Sequence, residues 1–156
     1  MEMKKLVTIL LVLTMVLSLA ACGGEQAPSV DLAAVYESCQ KKMPEMMLLE
    51  GDTRLDFLGV RQEDCSQVIT AIASDGLLTD EIWLIEAVDD KAAETVSQLM
   101  DSRLQAKADE TVSYAPEQYA VVEKAQVIRQ GRYLVLLVTE QAESIRGDVE
   151  AALGGN

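Results

Sequence analysis

Cys39, Cys65 and a run of carboxylates (Asp75, Asp80, Glu81, Asp89 and Asp90) are the residues in the body of this chain whose types could do chemistry. The carboxylates suggest a calcium site. Their spacing does not: no series of alternating ligands leads to a glycine and a distal glutamate, as an EF-hand loop needs. Helix caps and solvated turns account for such residues more simply. Cys39 and Cys65 could pair as a disulfide, stapling the first helix to the start of the first strand. They could equally be two small buried residues. Glu81 and Arg103 could meet across a sheet–helix interface with Tyr114 nearby, a structural ion pair rather than a catalytic one. The chain has no histidine, which removes the commonest general base and the commonest metal ligand. It also has no Gly-rich phosphate loop, nucleophile elbow or CxxC pair. No catalytic residue, cofactor or metal is therefore expected, and the protein is expected not to be an enzyme.

The remaining cysteine has a different setting. Lys4 and Lys5 precede a nearly continuous apolar run from Leu6 to Leu19. That run is short for a transmembrane helix, which needs about 20 apolar residues, and it suits the core of an export signal. It ends in Leu19-Ala20-Ala21-Cys22. This tetrad resembles the lipobox of bacterial lipoproteins. The resemblance implies cleavage between Ala21 and Cys22 and attachment of diacylglycerol to the Cys22 sulfur. Two or three acyl chains, at ~0.8 kcal/mol per buried CH₂, would anchor the chain stably. Residues 1–21 then read as the signal peptide, and 22–29 as the lipidated cysteine and a flexible tether containing Gly23, Gly24 and Pro28. Residues 30–156 read as one extracytoplasmic domain.

Composition agrees with a folded, membrane-tethered domain. The chain is 156 residues long and 49% hydrophobic, with a net charge of −13. That is enough chain to bury about two-thirds of its unfolded surface in one core. So acidic a chain lacks the basic patches that nucleic acid or an anionic lipid surface would require. Its only expected membrane contact is the lipid on Cys22.

The elements that must position these residues follow from periodicity. Leu32, Val35, Tyr36, Cys39 and Met43 share one helical face, predicting a helix over 31–43 capped by Ser29 or Asp31 and ended by Pro44. Residues 44–64 are irregular, and Met46, Met47, Leu48 and Leu49 are expected to be largely buried. Gln67 to Ala73 and Glu81 to Val88 read as a hairpin about Asp75-Gly76. The second strand is apolar on both faces, hence central. A helix over 90–108 follows, capped at Asp89-Asp90 and striped by Ala92, Val96, Met100 and Leu104. Pro116 opens a short helix in which Tyr119 and Val122 face inward. Strands at 125–129 and 132–139 are joined through Gln130-Gly131, with glycine supplying positive φ. A last helix spans 140–153. The order αββααββα predicts an α+β fold: a four-stranded antiparallel sheet, order 1-2-4-3, with helices packed on it.

Asp80-Glu81-Ile82, Arg103, Tyr114-Ala115-Pro116-Glu117-Gln118-Tyr119 and Gly131-Arg132-Tyr133 together resemble an uncharacterised family. Its members are small bacterial lipoproteins, common in Firmicutes, that carry a domain of unknown function. The resemblance covers about 31–140 and is strongest over 79–139. It implies a membrane-anchored domain outside the cytoplasm, and it transfers no activity, ligand or catalytic residue. The expected function is a non-catalytic binding domain with an envelope protein or component as partner. The alternatives are a small thiol- or carboxylate-dependent envelope enzyme and an accessory subunit of a transporter.

Overall fold

A computed structural model describes residues 29–154. Ala21, Cys22 and the proposed tether up to Pro28 lie outside the described residues. Eleven elements follow in order. They are helix α1 (Leu32–Gln40), strand β1 (Met46–Leu48), helix α2 (Gly51–Leu58), a 3₁₀ turn (Gln62–Asp64), strands β2 (Cys65–Ala73) and β3 (Glu81–Ala87), helices α3 (Asp90–Tyr114) and α4 (Pro116–Glu123), strands β4 (Gln126–Gln130) and β5 (Tyr133–Val138), and helix α5 (Ala142–Ala152).

The sheet is antiparallel and has five strands, in the order β1-β2-β3-β5-β4. The four expected strands occur in the expected order, but a fifth is added at the edge. It comes from Met46–Leu48, in the stretch that reads as irregular. Three residues are too few to show an alternation, and the strand exists because Met46, Met47 and Leu48 register against Ala73, Ile72 and Ala71. As an edge strand it leaves side chains in water. Met46 and Leu49 are buried, whereas Met47 and Leu48 are about half exposed at 50% and 48%.

Helices cover both faces. Alternate residues of β3 point to opposite sides. Ile82 and Leu84 join Val135 and Leu137 of β5 beneath α1 (Leu32, Val35) and α5 (Ile145, Val149). Trp83 and Ile85 join Leu134, Leu136 and Val138 beneath α3 (Val96, Met100), α4 (Val122) and α2 (Leu58). The central strands are therefore apolar on both faces, as their sequences require. Each fully buried Leu or Ile contributes about 1.5–3 kcal/mol. Val88 lies just past the strand end and is exposed.

Local chemistry sets the element ends. The Asp31 carboxylate accepts from the Ala33 and Ala34 amides at the start of α1, and Asp89 accepts from Ala92 N at the start of α3. The β4–β5 loop is Gly131-Arg132, since Gln130 pairs with Tyr133. Gly131 has φ +60° and Arg132 stays at negative φ, as a II′ turn requires. Helix α3 runs to Tyr114, six residues beyond its expected end at 108, because Lys107 and Thr111 continue its buried stripe.

Truncating the doubly covered strand should be costly and changing the edge strand cheap. Leu84→Ala is expected to lose about 2–5 kcal/mol of unfolding free energy, and Met47→Lys less than about 0.5 kcal/mol. Urea melts of the two variants check both. Equal losses would contradict the layer assignment.

Candidate functional site

Two polar assemblies stand out against the apolar core. The first is centred on Glu81, the opening residue of β3, which is fully buried. Its Oε1 accepts from Trp83 Nε1 at 2.7 Å and from Arg103 Nε at 3.0 Å. Its Oε2 accepts from Arg103 Nη2 at 2.8 Å and lies 3.0 Å from Lys107 Nζ. Lys107 Nζ also donates to the Thr79 carbonyl at 2.7 Å. The ring of Phe57 lies 5.1 Å from the Arg103 guanidinium carbon, within cation–π range. Burial pushes the Glu81 carboxyl up, but the Arg103 hydrogen bonds and the Lys107 and Arg103 charges outweigh it and hold the carboxyl below the usual range. Both carboxylate oxygens are occupied by donors, so the cluster ties α3 to the start of β3.

The expected Glu81–Arg103 contact is therefore present. Tyr114 is not part of it: that side chain is 86% exposed. Lys107 takes the inner place, and the sequence reading missed it. The signal was the helical stripe Val96, Met100, Arg103, Lys107, Thr111, whose three- and four-residue steps keep one face toward the sheet. The other carboxylates scatter. Asp75 accepts from Leu77 N within the β2–β3 turn, Asp89 caps α3, Asp90 is the first residue of α3, and Asp80 is a buried neighbour of Glu81. Among the described residues no group of three or more potential ligands could hold a metal.

Cys39 and Cys65 are both free and buried. They cannot staple the chain, because Cys39 packs in the core under α1 and Cys65 in the core on the other side of the sheet. Burial pushes each thiol up to about 11, so both are protonated at neutral pH and poor nucleophiles.

The second assembly is a groove of about 630 Å³ at the β2 edge, between α1 and α2. The sequence reading missed it, because it depends on where β1 stops. Strand β1 covers only Ala71–Ala73. Leu49 N reaches the Thr70 carbonyl at 2.8 Å, and the Thr70 hydroxyl donates back to the Leu49 carbonyl. The chain then turns at Gly51 into α2. The lane opposite Ser66–Ile69 stays open, and those residues line the groove. Gln67 fixes the α1 wall: its Nε2 donates to the Val30 carbonyl and to Glu86, and its Oε1 accepts from Leu32 N.

Two lining residues stand out, one with an unpartnered hydroxyl and one a buried cation without a carboxylate. Tyr36, on the α1 side, is nine-tenths buried, and its hydroxyl has no hydrogen-bond partner among the described residues. Arg54, on the α2 side, is 5% exposed. It donates from Nε to the Val60 carbonyl (3.4 Å) and from Nη2 to Gln62 Oε1 (2.7 Å). No carboxylate among the described residues pairs with it: the ion pairs of the other arginines involve Glu63, Asp64, Glu81, Glu86, Glu94 and Glu150. A buried cation without a counter-ion is costly.

The molecule is thus an α+β domain with helices on both sheet faces, a saturated internal ion cluster and an edge groove. The chain belongs to the family described as a domain of unknown function, DUF4358, whose profile matches residues 39–139. No curated protein and no solved structure matches it. Among the described residues no helix is long and apolar enough to cross a membrane.

Glu81→Gln should destabilise the fold by about 3–5 kcal/mol, since it strands the buried Lys107 and the half-buried Arg103. The folded-state carboxyl titrates below its unfolded value of about 4.3. Its contribution is therefore complete above that pH and lost as pH falls through the lowered folded value. Urea titrations of wild type and variant should converge in that acid range. A gap that stayed constant down to acid unfolding would sink the assignment.

Proposed function

We propose that this protein is a lipid-anchored lipoprotein on the outer face of the cell membrane. Its folded part is a non-catalytic binding domain that meets a protein or other component of the envelope. The observation that carries the location is the N-terminal sequence: Lys4-Lys5, the apolar run 6–19, and Leu19-Ala20-Ala21-Cys22 followed by Gly23-Gly24. Cys22 is the lipid site in this reading, and Ala21–Cys22 the cleaved bond.

The fold supports a binding role. Val30 is held at one end of the sheet, where its amide donates to the Tyr133 hydroxyl at the start of β5. The β2–β3 turn, with Leu77 80% exposed, lies at the opposite end of those antiparallel strands. An anchor preceding Val30 would thus leave the β2–β3 turn, the end of α3 and the long sides of the sheet facing away from the membrane. A thiol-dependent enzyme gains no support from two cysteines buried in separate cores with thiols at about 11. A carboxylate-dependent one gains none from a Glu81 whose oxygens are already occupied.

Cys22→Ala should move the protein from the membrane fraction to the soluble or secreted fraction, with loss of metabolic labelling by a fatty-acid analogue. An unchanged membrane fraction would refute the anchor. In the folded chain at pH 7, Cys39 and Cys65 should react with a thiol probe only on the timescale of unfolding. Rapid labelling of either would reopen the thiol-enzyme reading.

A further inference from the structure

We infer that the open edge of β2 is a peptide-binding site: a short extended segment of a partner protein adds as a strand opposite Ser66–Ile69 and sets an acidic side chain against Arg54. The inference deepens the binding-domain reading by naming what the domain binds.

The strand lane is the first support. Residues of an antiparallel strand alternate in the direction of their backbone groups. The Thr70 carbonyl points away from β3, toward Leu49. The β2–β3 register is continuous from Gln67 to Ile72, so Val68 presents its N–H and C=O to the same side, where β1 has already ended. An unpaired strand edge facing a groove is the template on which extended peptides add to sheets. The other edge strand, β4, carries Gln126, Arg129 and Gln130. Arg129 is paired with Glu94, and Gln126 accepts from Arg146, a polar rim of the kind that discourages strand addition.

The walls supply the second support. Tyr36 lies on the α1 side of the sheet and Arg54 on the α2 side. Successive side chains of an added strand point to opposite faces. One residue of the guest therefore meets Arg54 and a neighbour meets Tyr36. The buried guanidinium has no carboxylate partner among the described residues, so a guest carboxylate would add a charge-assisted bond to it; Tyr36 offers its ring as the opposite wall. At the groove mouth Glu37 and Glu50 are exposed. They add negative charge outside the Arg54 position, favouring a guest with one acidic residue flanked by neutral or basic ones. A uniformly acidic segment fits less well.

The test uses the whole chain in mild detergent and a randomised library of hexapeptides capped at both ends, so that every carboxylate is a side chain. Affinity selection should enrich peptides with Asp or Glu at one position. Bound peptides should slow hydrogen exchange at Val68. Replacing that acid by Asn or Gln, or making Arg54→Gln, should weaken binding about tenfold or more. Val68→Pro keeps the test decisive should Arg54→Gln unfold: it removes the one edge N–H, at a position where an edge strand tolerates proline, and should abolish binding. A selection with no enriched peptide, or acidic enrichment that persists unchanged in Arg54→Gln, overturns the inference and leaves the Cys22 anchor untouched. The mass of the eluted peptides separates the two claims. Intact peptides support both, whereas cleaved ones would keep the groove as the site and overturn the non-catalytic reading.

Discussion

A carboxylate buried at the start of the central strand constrains the rest of this structure. Glu81 enters β3 with no access to water, and an unpaired charge there would cost several kcal/mol. Arg103 and Lys107, one helical turn apart on α3, must therefore lie over the first residue of β3. That requirement fixes both the rotation of α3 and its position along the sheet. Trp83 Nε1 closes the carboxylate's last free direction, and Lys107 ties the turn before β3 through the Thr79 carbonyl. The same ladder then places α4, since α3 and α4 share Val96, Met100 and Val122 in one core. One ion cluster thus orients the whole α2–α3–α4 layer, in which hydrophobic packing alone would allow sliding.

The opposite layer has no such lock. Helix α1 is held to the sheet by Gln67, which takes up Val30, Leu32 and Glu86 together, and by apolar contact with α5. Between the two layers the sheet edge is left half covered, because β1 spans only three residues before the chain departs into α2. The groove is a consequence of that short strand. Tyr36 and Arg54, which line it, come from elements on opposite sides of the sheet.

Much of the fold was legible because the relevant signals are local. Apolar residues on both faces of 81–87 and 133–138 mark central strands in any context, and Gly131 and Asp89 mark a turn and a cap by their own chemistry. The four-strand order followed from putting those two strands in the middle. The fifth strand was not legible. A three-residue segment carries no periodicity, and its existence rests on pairing with Ala71–Ala73. Its outward residues Met47 and Leu48 were misjudged for the same reason, since hydrophobicity does not say which side of an edge strand faces water. The Glu81–Arg103 pair could be anticipated from residue types, but Tyr114 in place of Lys107 was an error of helix length: α3 carries Tyr114 past the sheet into solvent.

The amino-acid sequence by itself determined the class of the protein: an acidic chain without histidine, with alternating strands and helices in an α+β order; the proposed lipid anchor at Cys22 rests on the sequence alone. These are properties of residue type and near-neighbour spacing. Only the tertiary structure decided that Cys39 and Cys65 lie on opposite faces of the sheet, that Lys107 completes the Glu81 cluster, and that Tyr36 and Arg54 converge on an open strand edge. Each of those facts joins residues separated by 12 or more positions, and the distances between them are set by the register of β2 against β1 and β3. No local pattern encodes that register. It is selected by burying both faces of β3 at once.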